Sequence, residues 1–271
     1  MSILLQKQIG IIGGGTMGSA IARLLTTRDF GASCIIFDRN TERRKVLAER
    51  SLVVTETLDD LMEKSDIVIL AVKPQSAQEL FEQIREKIKP SHLVLSIMAG
   101  ISIGRISRGL GTKRVIRSMP NTPAQIGRGM TAWMADQSVP DSDTEVARFL
   151  FSLLGRELEV DSEDKIDAST AVSGSGPAYL FLLAEALENA AHQLGFSNEE
   201  AGIIVRETLR GASELYAESE ESPAILRSRV TSKGGTTEAA MEVAEPPTFI
   251  DLWQRAVVRA YARAKELSNQ V

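Results

Sequence analysis

Three glycines near the start of the chain have a spacing that could bind a dinucleotide. Residues 9–18 read IGIIGGGTMG, in which Gly13, Gly15 and Gly18 fit G-x-G-x-x-G between an apolar run and a helix-like stretch. Gly13 would permit a tight turn, Gly15 would let the backbone approach a pyrophosphate, and Gly18 would let the helix pack closely on the strand. The N–H groups and partial positive charge at the helix start would favour the phosphates.

An acidic residue stands where such a site needs one. The apolar run Cys34–Phe37 ends in Asp38, 20 residues after Gly18, and an acid at this distance commonly binds the ribose hydroxyls. Asp38 would repel a 2′-phosphate, whereas Arg39 and Asn40 suit one. These residues argue in both directions, so they leave NADPH and NADH open as the cofactor; we expect NADPH slightly more than NADH.

A second glycine pair could bind a small anion. Residues 232–237 read SKGGTT and precede a predicted helix, Thr237–Val243. Glycines at a helix start expose backbone N–H groups to an anion, although they also mark ordinary helix starts. The dinucleotide site elsewhere in the chain favours the anion site. The segment SGSGPAY at 173–179 stays open between a helix cap, with Pro177 in the first turn, and a wall of the substrate pocket.

Composition excludes several classes of protein. The net charge of −5 disfavours nucleic-acid binding, which needs a basic surplus. Cys34 is the only cysteine and there are two histidines, so we expect neither a disulfide framework nor a metal site. The apolar run from Ala178 is interrupted by Glu185 and is too short for a bilayer. Met1–Gly10 does not resemble a signal peptide, so we expect a cytoplasmic protein without membrane contact.

The pattern of the first part predicts an α/β fold with a doubly wound sheet. Short apolar runs alternate with helix-like stretches, which indicates a parallel sheet covered on both faces. The predicted strands are Ile9–Ile12, Cys34–Phe37, Ile67–Val72, Leu93–Ile97, Val115–Ser118, Met130–Met134 and Arg156–Val160. We expect a dinucleotide-binding domain over residues 1–162.

Residues 163–271 are expected to form an all-α domain. Ala178–Leu194, Asn198–Ala217 and Phe249–Leu267 are helical in pattern. The stretch AYLFLLAEALENAA at 178–191 is apolar on most of its circumference, so it is either a central core helix or a helix shared with a second subunit. We favour the shared helix, and thus a homo-oligomer.

Several segments together resemble one enzyme family. AVKPQ at 71–75, SIMAGIS at 96–102, MPNTPAQIGRGMT at 119–131, SGSGPAY at 173–179 and SKGGTTEA at 232–239 occur in order with the glycine turn. The chain thus resembles pyrroline-5-carboxylate reductase, which reduces a cyclic imine to proline. The resemblance implies an N-terminal Rossmann-type domain and a C-terminal helical dimerisation domain, with at least a dimer and, in several members, a decamer.

The resemblance also implies roles for individual residues. Pyrophosphate would be held at the glycine turn, by Ile12, Gly13, Gly14, Gly15, Thr16, Met17 and Gly18. The nicotinamide side would be lined by Ala71, Val72, Lys73, Pro74, Ile97, Met98 and Ala99, with Asn121 and Glu163 as further cofactor contacts. The substrate would be held by Ser175, Ser232, Gly234, Gly235, Thr236 and Thr237.

The chemistry of a cyclic imine needs no strong acid on the protein. A protonated imine is already electrophilic, so Thr237 is expected to act mainly by orienting the ring nitrogen and relaying a proton from water. A 3-hydroxyacid dehydrogenase would need a lysine in the central helix, but Leu180 and Ala184 stand there. A dinucleotide sensor without turnover, or a reductase of another small cyclic imine, are the remaining alternatives.

Overall fold

The chain forms two compact units. The computed structural model describes residues 7–27 and 33–269, so residues 1–6 of the segment compared with a signal peptide lie outside the described residues. The first unit comprises Met1–Ser175 together with Ala260–Val271, and the second comprises Gly176–Arg259.

A seven-stranded sheet forms the centre of the first unit. Its strands in chain order are β1 (Gln8–Ile12), β2 (Ser33–Phe37), β3 (Ile67–Leu70), β4 (Leu93–Ser96), β5 (Val115–Pro120), β6 (Gly129–Ala135) and β7 (Gly155–Glu159). They are arranged β2-β1-β3-β4-β5-β6-β7, and β1 to β5 are parallel. The carboxyl ends of these five strands therefore meet at one edge, where open α/β sheets bind ligands.

Helices cover both faces of this sheet. They are α1 (Thr16–Thr27), α2 (Thr41–Glu49), α3 (Leu58–Lys64), α4 (Ala77–Ile84), α5 (Ile103–Leu110), α6 (Asp141–Leu154) and α7 (Glu163–Ser169). Alternate residues of a strand join different apolar clusters: Ile11 of β1 belongs to the cluster that includes α1 and α6, whereas Ile12 belongs to the cluster that includes α4 and α5. This alternation explains the continuous apolar runs of a doubly covered sheet.

The sheet is not parallel throughout, which corrects the sequence-based prediction. β6 runs antiparallel to β5, and β7 is parallel to β6. Only residues 121–128 connect β5 to β6. A parallel crossover needs a dozen or more residues, so the short connection forces the chain to turn back beside β5. The longer connection through α6 then permits a parallel β7.

The second unit is helical, as predicted. Its elements are α8 (Gly176–Gln193), α9 (Asn198–Glu218), α10 (Pro223–Arg229), α11 (Thr236–Ala244) and the first part of α12 (Pro246–Asn269). Ser197 and Glu200 form a reciprocal capping box at the start of α9. The predicted fold class, an α/β unit followed by an all-α part, is confirmed, although α3, α7 and α10 had no individual counterpart in the sequence-based prediction.

The compact units divide at other residues than the predicted domains. α7 and the π-helical turn Thr170–Gly174 belong to the first unit, and Ile166 of α7 is buried there. The last residues of α12 return to the first unit as well. The domain boundary between residues 162 and 163 stays a prediction based on the change in sequence character.

α8 exposes much of its apolar surface within one chain. Phe181 is 65% exposed and Leu182 57%. No helix in the two described ranges is long and apolar enough to cross a membrane.

Candidate functional site

The turn between β1 and α1 depends on glycine at two positions. Gly13 has φ +111°, and a Cβ there would lie 2.5 Å from the carbonyl oxygen of Ala71. A Cβ on Gly18 would lie 1.9 Å from the carbonyl oxygen of Gly13. The chain therefore turns sharply after β1, and the first turn of α1 packs directly against the turn. A Cβ on Gly15, in contrast, would meet no atom within 4 Å.

Asp38 holds this turn from the end of β2. Its Oδ2 accepts the N–H of Gly14 at 2.8 Å, and its Oδ1 accepts the N–H of Asn40 at 2.9 Å. Arg43 contacts Oδ2 at 3.1 Å. Burial would raise the pKa of this carboxyl, but the two amides and Arg43 outweigh it and hold the pKa below its ordinary value. Asp38 is therefore ionised, 5% exposed, and already bound by three donors of the protein.

A cleft of about 430 Å³ opens at the carboxyl ends of β1, β2 and β3. Of the residues that the sequence analysis predicted for the cofactor, it brings together Ile12, Gly13, Gly15, Asp38, Arg39, Ala71, Val72 and Lys73. The open side of Gly15 lies in this cleft. The volume and position of the cleft suit the adenosine half of a dinucleotide.

Basic side chains surround the part of the cleft next to β2. Arg39 is largely exposed and pairs with Glu79 of α4 at 3.3 Å. Asn40 caps α2 by accepting the N–H of Arg43. Arg44 donates to the Asp38 carbonyl oxygen at 2.8 Å and to Glu56 at 3.2 Å. Arg39 and Arg43 both line the cleft, so its mouth carries two guanidinium groups.

Sequence reasoning missed part of this lining. The residues are Phe37, Arg43, Leu58, Ser76, Glu79, Leu80 and Gln83. Arg43 could have been predicted to line the cleft, because it lies in the first turn of the helix that directly follows Asp38. Glu79 and Gln83 are four residues apart on one face of α4, but nothing local connects that face with β2.

The other predicted cofactor residues do not line this cleft. Thr16, Met17 and Gly18 belong to the first turn of α1, Gly14 is bound to Asp38, and Pro74 begins a short 3₁₀ turn after Lys73. Ile97, Met98 and Ala99 lie in the loop after β4, and the side chain of Met98 is buried in the core. Any ligand that reaches this loop would meet mainly backbone and the half-buried Ile97 and Ala99.

Asn121 and Glu163 both bind other parts of the first unit. The amide nitrogen of Asn121 donates to the carbonyl and hydroxyl of Ser173, and its oxygen accepts the N–H of Met130 at 2.8 Å. Oε2 of Glu163 accepts from Arg117 at 2.8 Å and from the N–H of Ile103 at 2.9 Å. Their predicted cofactor contacts stay predictions.

The predicted substrate turn lies at the start of α11 in the second unit. Gly234 has φ +72°, the N–H of Gly235 donates to the carbonyl of Ser232 at 3.0 Å, and Gly235 is the N-cap. Ser232 and Thr236 are exposed and Thr237 is half-buried. Glu238, which the sequence analysis did not single out, accepts the N–H of Gly234 at 2.7 Å. One amide of the turn is thus already bound to a carboxylate.

Ser175 ends the first unit. Its N–H donates to the carbonyl of Thr170 at 2.9 Å, and its hydroxyl reaches the same carbonyl at 3.2 Å. The hydroxyl therefore completes the π-helical turn before α8. Its predicted contact with the substrate stays a prediction.

Two further groups bear on the chemistry. Burial raises the pKa of the Cys34 thiol to about 12, so this cysteine is an unreactive core residue. Within residues 7–27 and 33–269, no group of three or more His, Cys, Asp or Glu side chains is placed to hold a metal ion.

Comparisons with known proteins match both parts of the chain. Residues 163–267 match the family model described as pyrroline-5-carboxylate reductase dimerisation. Residues 8–100 match the model described as NADP oxidoreductase, coenzyme F420-dependent. Neither model covers half of the chain, so full-length relatives decide the family.

Full-length relatives agree with each other. A pyrroline-5-carboxylate reductase of Pseudomonas aeruginosa is 38% identical over 97% of this chain and 98% of its own length. The structure of one from Coxiella burnetii is 34% identical, covers 97% of this chain and 99% of that one, and gives a TM-score of 0.88. A pyrroline carboxylate reductase of Plasmodium falciparum, solved with NADP bound, is 26% identical with a TM-score of 0.88 and covers 98% of this chain and 100% of that one. The resemblance inferred from the motifs is therefore confirmed: the chain belongs to the pyrroline-5-carboxylate reductase family.

Proposed function

We propose that this protein is a reductase of 1-pyrroline-5-carboxylate that uses NADPH and produces L-proline. One observation carries the proposal: in a chain of this family, the edge of the parallel sheet holds a glycine-turn cleft with two arginines at its mouth. The remaining steps concern how the residues of this chain would bind the cofactor and the imine.

The glycine turn fits a pyrophosphate. Gly15 presents an uncovered backbone to the cleft, and a side chain there would extend into the space that a phosphate needs. The N–H groups of Gly13 and Gly14 are already donated to Phe37 and Asp38. The amides that follow, from Gly15 to Met17 at the start of α1, are the ones we assign to the pyrophosphate.

The basic mouth of the cleft favours NADPH over NADH. Arg39 and Arg43 line the cleft where the ribose of the adenosine would lie, and Asn40 adds a polar group. A guanidinium binds a phosphate through two parallel N–H donors. Asp38 is occupied by Gly14, Asn40 and Arg43, so its charge is partly compensated before any ligand binds. Its contact with a ribose hydroxyl stays part of the proposal.

The turn at residues 232–237 is the proposed site for the carboxylate of the imine. The amides at the start of α11 and the hydroxyls of Ser232 and Thr236 supply donors for an anion. Because Glu238 holds the Gly234 amide, the substrate carboxylate would use the amides of Thr236 and Thr237 or displace Glu238. Lys233, exposed beside the turn, adds positive potential.

The residues of the chain would act mainly by positioning the imine and the cofactor, and less by acid–base catalysis. The chemistry that NADPH would supply when bound is a hydride for the imine carbon, which would become a saturated carbon of proline. Thr237 would hold the ring nitrogen by its hydroxyl, so that a proton from water reaches the nitrogen as the C=N bond is reduced. No side chain with a pKa near neutrality is required, because the protonated imine is already a strong electrophile.

We further propose a cytoplasmic homo-oligomer that is at least a dimer, with a decamer as the larger assembly. Residues 163–267 match a dimerisation model. In a single chain α8 exposes Phe181, Leu182 and Leu183, and exposure of so much apolar surface to water is unfavourable. A second subunit would cover this surface. Sedimentation of a stable monomer at micromolar concentration would contradict the assembly.

An assay of turnover tests the function. Oxidation of NADPH and of NADH is followed with pyrroline-5-carboxylate and with its six-membered homologue. We expect turnover with the five-membered imine and a higher kcat/KM for NADPH, and Arg39→Ala combined with Arg43→Ala should remove most of that preference. Cofactor binding without oxidation would identify a sensor instead, and turnover of the six-membered imine alone would identify a different reductase.

A further inference from the structure

We propose that Asp167 and Ser268, acting through a buried ion-pair network around Arg117, position the 97–102 loop and with it the nicotinamide end of the cofactor site. The inference rests on the proposed function, because it assumes that the nicotinamide end of a bound cofactor lies against this loop. All the residues concerned belong to the first compact unit.

The network begins with a charge inside the sheet. Arg117 of β5 is 1% exposed, and its guanidinium donates to Glu163 at 2.8 Å and to Asp167 at 2.5 Å. Asp167 is 3% exposed. A buried ion pair is weak evidence for a stabilising role, because removing the charges from water offsets their attraction. What the network provides is a fixed direction for each carboxylate.

The first point of contact is the end of the loop. Oε2 of Glu163, the oxygen that binds Arg117, also accepts the N–H of Ile103 at 2.9 Å. Ile103 is the first residue of α5 and follows the loop directly. The position at which the loop enters α5 is therefore fixed by the network.

The second point of contact is the middle of the loop. Gly100 has φ +71°, and a Cβ there would lie 2.9 Å from the Cβ of Leu267 and 3.2 Å from the nitrogen of Ser268. The hydroxyl of Ser268 donates to the Asp167 carboxylate, with both oxygens at 3.1 Å. The last turns of α12 therefore pack directly against the loop, and the hydrogen bonds from Ser268 to Asp167 hold these turns in place.

The loop leaves the sheet at the edge where the cofactor is expected. It follows β4, and the N–H of Ile97 donates to the carbonyl oxygen of Leu70 of β3 at 3.1 Å. None of Arg117, Asp167 and Ser268 lines the cleft assigned to the adenosine half. A change in the network should therefore disturb the nicotinamide half of the site and leave the adenosine half intact.

Comparing the whole cofactor with its adenosine end alone separates a positioning role at the nicotinamide end from a general loss of folded protein. Dissociation constants are measured for NADPH and for adenosine 2′,5′-bisphosphate, which contains only the phosphorylated adenosine end, in the full-length wild type and in Ser268→Ala and Asp167→Asn. For Ser268→Ala we expect NADPH affinity to fall about fivefold to thirtyfold, the effect of one lost hydrogen bond and a loosened partner, and the fragment to bind within about twofold of wild type. Ser268→Thr, which keeps the hydroxyl, should restore NADPH binding.

The controls make the result decisive. Asp161→Asn removes an exposed carboxylate that pairs with Lys165, outside the network but close to it in sequence, and should alter neither constant. Equal loss of both ligands in Ser268→Ala, or no loss of either, would overturn the inference. Ser268→Ala leaves Arg117 with both carboxylates, so the test stands even if Asp167→Asn yields no folded protein. Wild-type turnover is measured in parallel, and its absence would refute the proposed function while the binding comparison still decides the positioning role.

Discussion

Replacing Asp38 by asparagine separates two roles for the acid at the end of β2. If Asp38 only bound ribose hydroxyls, removing its charge would favour NADPH over NADH and leave the fold unchanged. In the structure its carboxylate is also bound to Gly14, Asn40 and Arg43. We therefore expect Asp38→Asn to destabilise the first unit and to weaken the binding of both cofactors.

The contacts give the size of the effect. Asparagine keeps one oxygen, which can still accept the N–H of Asn40, but its amide nitrogen then faces the buried N–H of Gly14. A hydrogen bond to a charged group contributes about 1.5–3 kcal/mol, and an unsatisfied buried donor costs about 1–3 kcal/mol. Because the turn relaxes, these contributions overlap, and we expect a loss of about 2–4 kcal/mol in the free energy of unfolding. Arg43 adds less than about 1 kcal/mol, because it is half-exposed.

Urea unfolding at one fixed protein concentration measures this loss. Trp133 of β6 is fully buried and reports on the first unit, and a Trp253→Phe background removes the other tryptophan. Asp136→Asn is the matched control, since Asp136 also accepts an N–H two residues ahead, from Ser138, but is only half-buried, whereas Asp38 is buried. A midpoint for Asp38→Asn that equals the control, or an improved NADPH affinity, would refute the anchoring role.

Three further predictions follow from the same geometry. The folded-state pKa of Asp38 is lowered, so its stabilisation is complete above the unfolded pKa of about 3.9 and is lost as the pH falls through the folded pKa; the difference in unfolding free energy between wild type and Asp38→Asn should be constant from pH 7 to 5 and shrink below about pH 4. Gly18→Ala places a methyl group against the Gly13 carbonyl and should cost about 1–3 kcal/mol in unfolding free energy, whereas Gly15→Ala should unfold like wild type but bind NADPH at least about tenfold more weakly. Thr237→Ala should lower kcat with pyrroline-5-carboxylate by about tenfold or more, with unchanged affinity for NADPH.

Each of these has an outcome that contradicts it. A stability difference for Asp38→Asn that grows on acidification would reverse the sign of the assigned pKa shift. Equal unfolding curves for the two glycine variants would mean that Gly18 is not in close contact with the turn. Wild-type kinetics for Thr237→Ala would remove the hydroxyl from the mechanism. Thr231→Ala is the control for local damage, because it changes a half-buried threonine just before the turn, whose hydroxyl donates to the Arg227 carbonyl.

The strands of the sheet and the glycine turn could be predicted from the sequence, because each depends on residues that are close together in the chain. Strand residues face two apolar clusters in alternation, and the turn needs glycine at positions fixed by covalent geometry. The direction of β6 depends instead on the length of the connection from β5, and on the free edge of β5 opposite β4, with which β6 pairs. That information is present in the sequence, but only after the bounds of both strands are known.

The side chains around the cleft and the network were harder to predict, since they depend on contacts between distant elements. Arg117 stands within an apolar strand, which is a signal for a buried acidic partner, and Glu163 and Asp167 are four residues apart on one face of α7. Sequence reasoning did not join these facts. Glu79 reaches Arg39 only because α4 and the end of β2 meet in three dimensions.

The return of α12 to the first unit has a consequence for synthesis in the cell. The loop at Gly100 is covered by Leu267, and Asp167 and Asp164 bind Ser268 and Lys265. A ribosome adds about 5–20 residues per second, so roughly 5–20 s separate the emergence of α7 from that of the segment that covers it. During this interval the loop at Gly100 is uncovered and the two carboxylates lack these partners, so this part of the first unit can complete its packing only after the last turns of α12 have emerged.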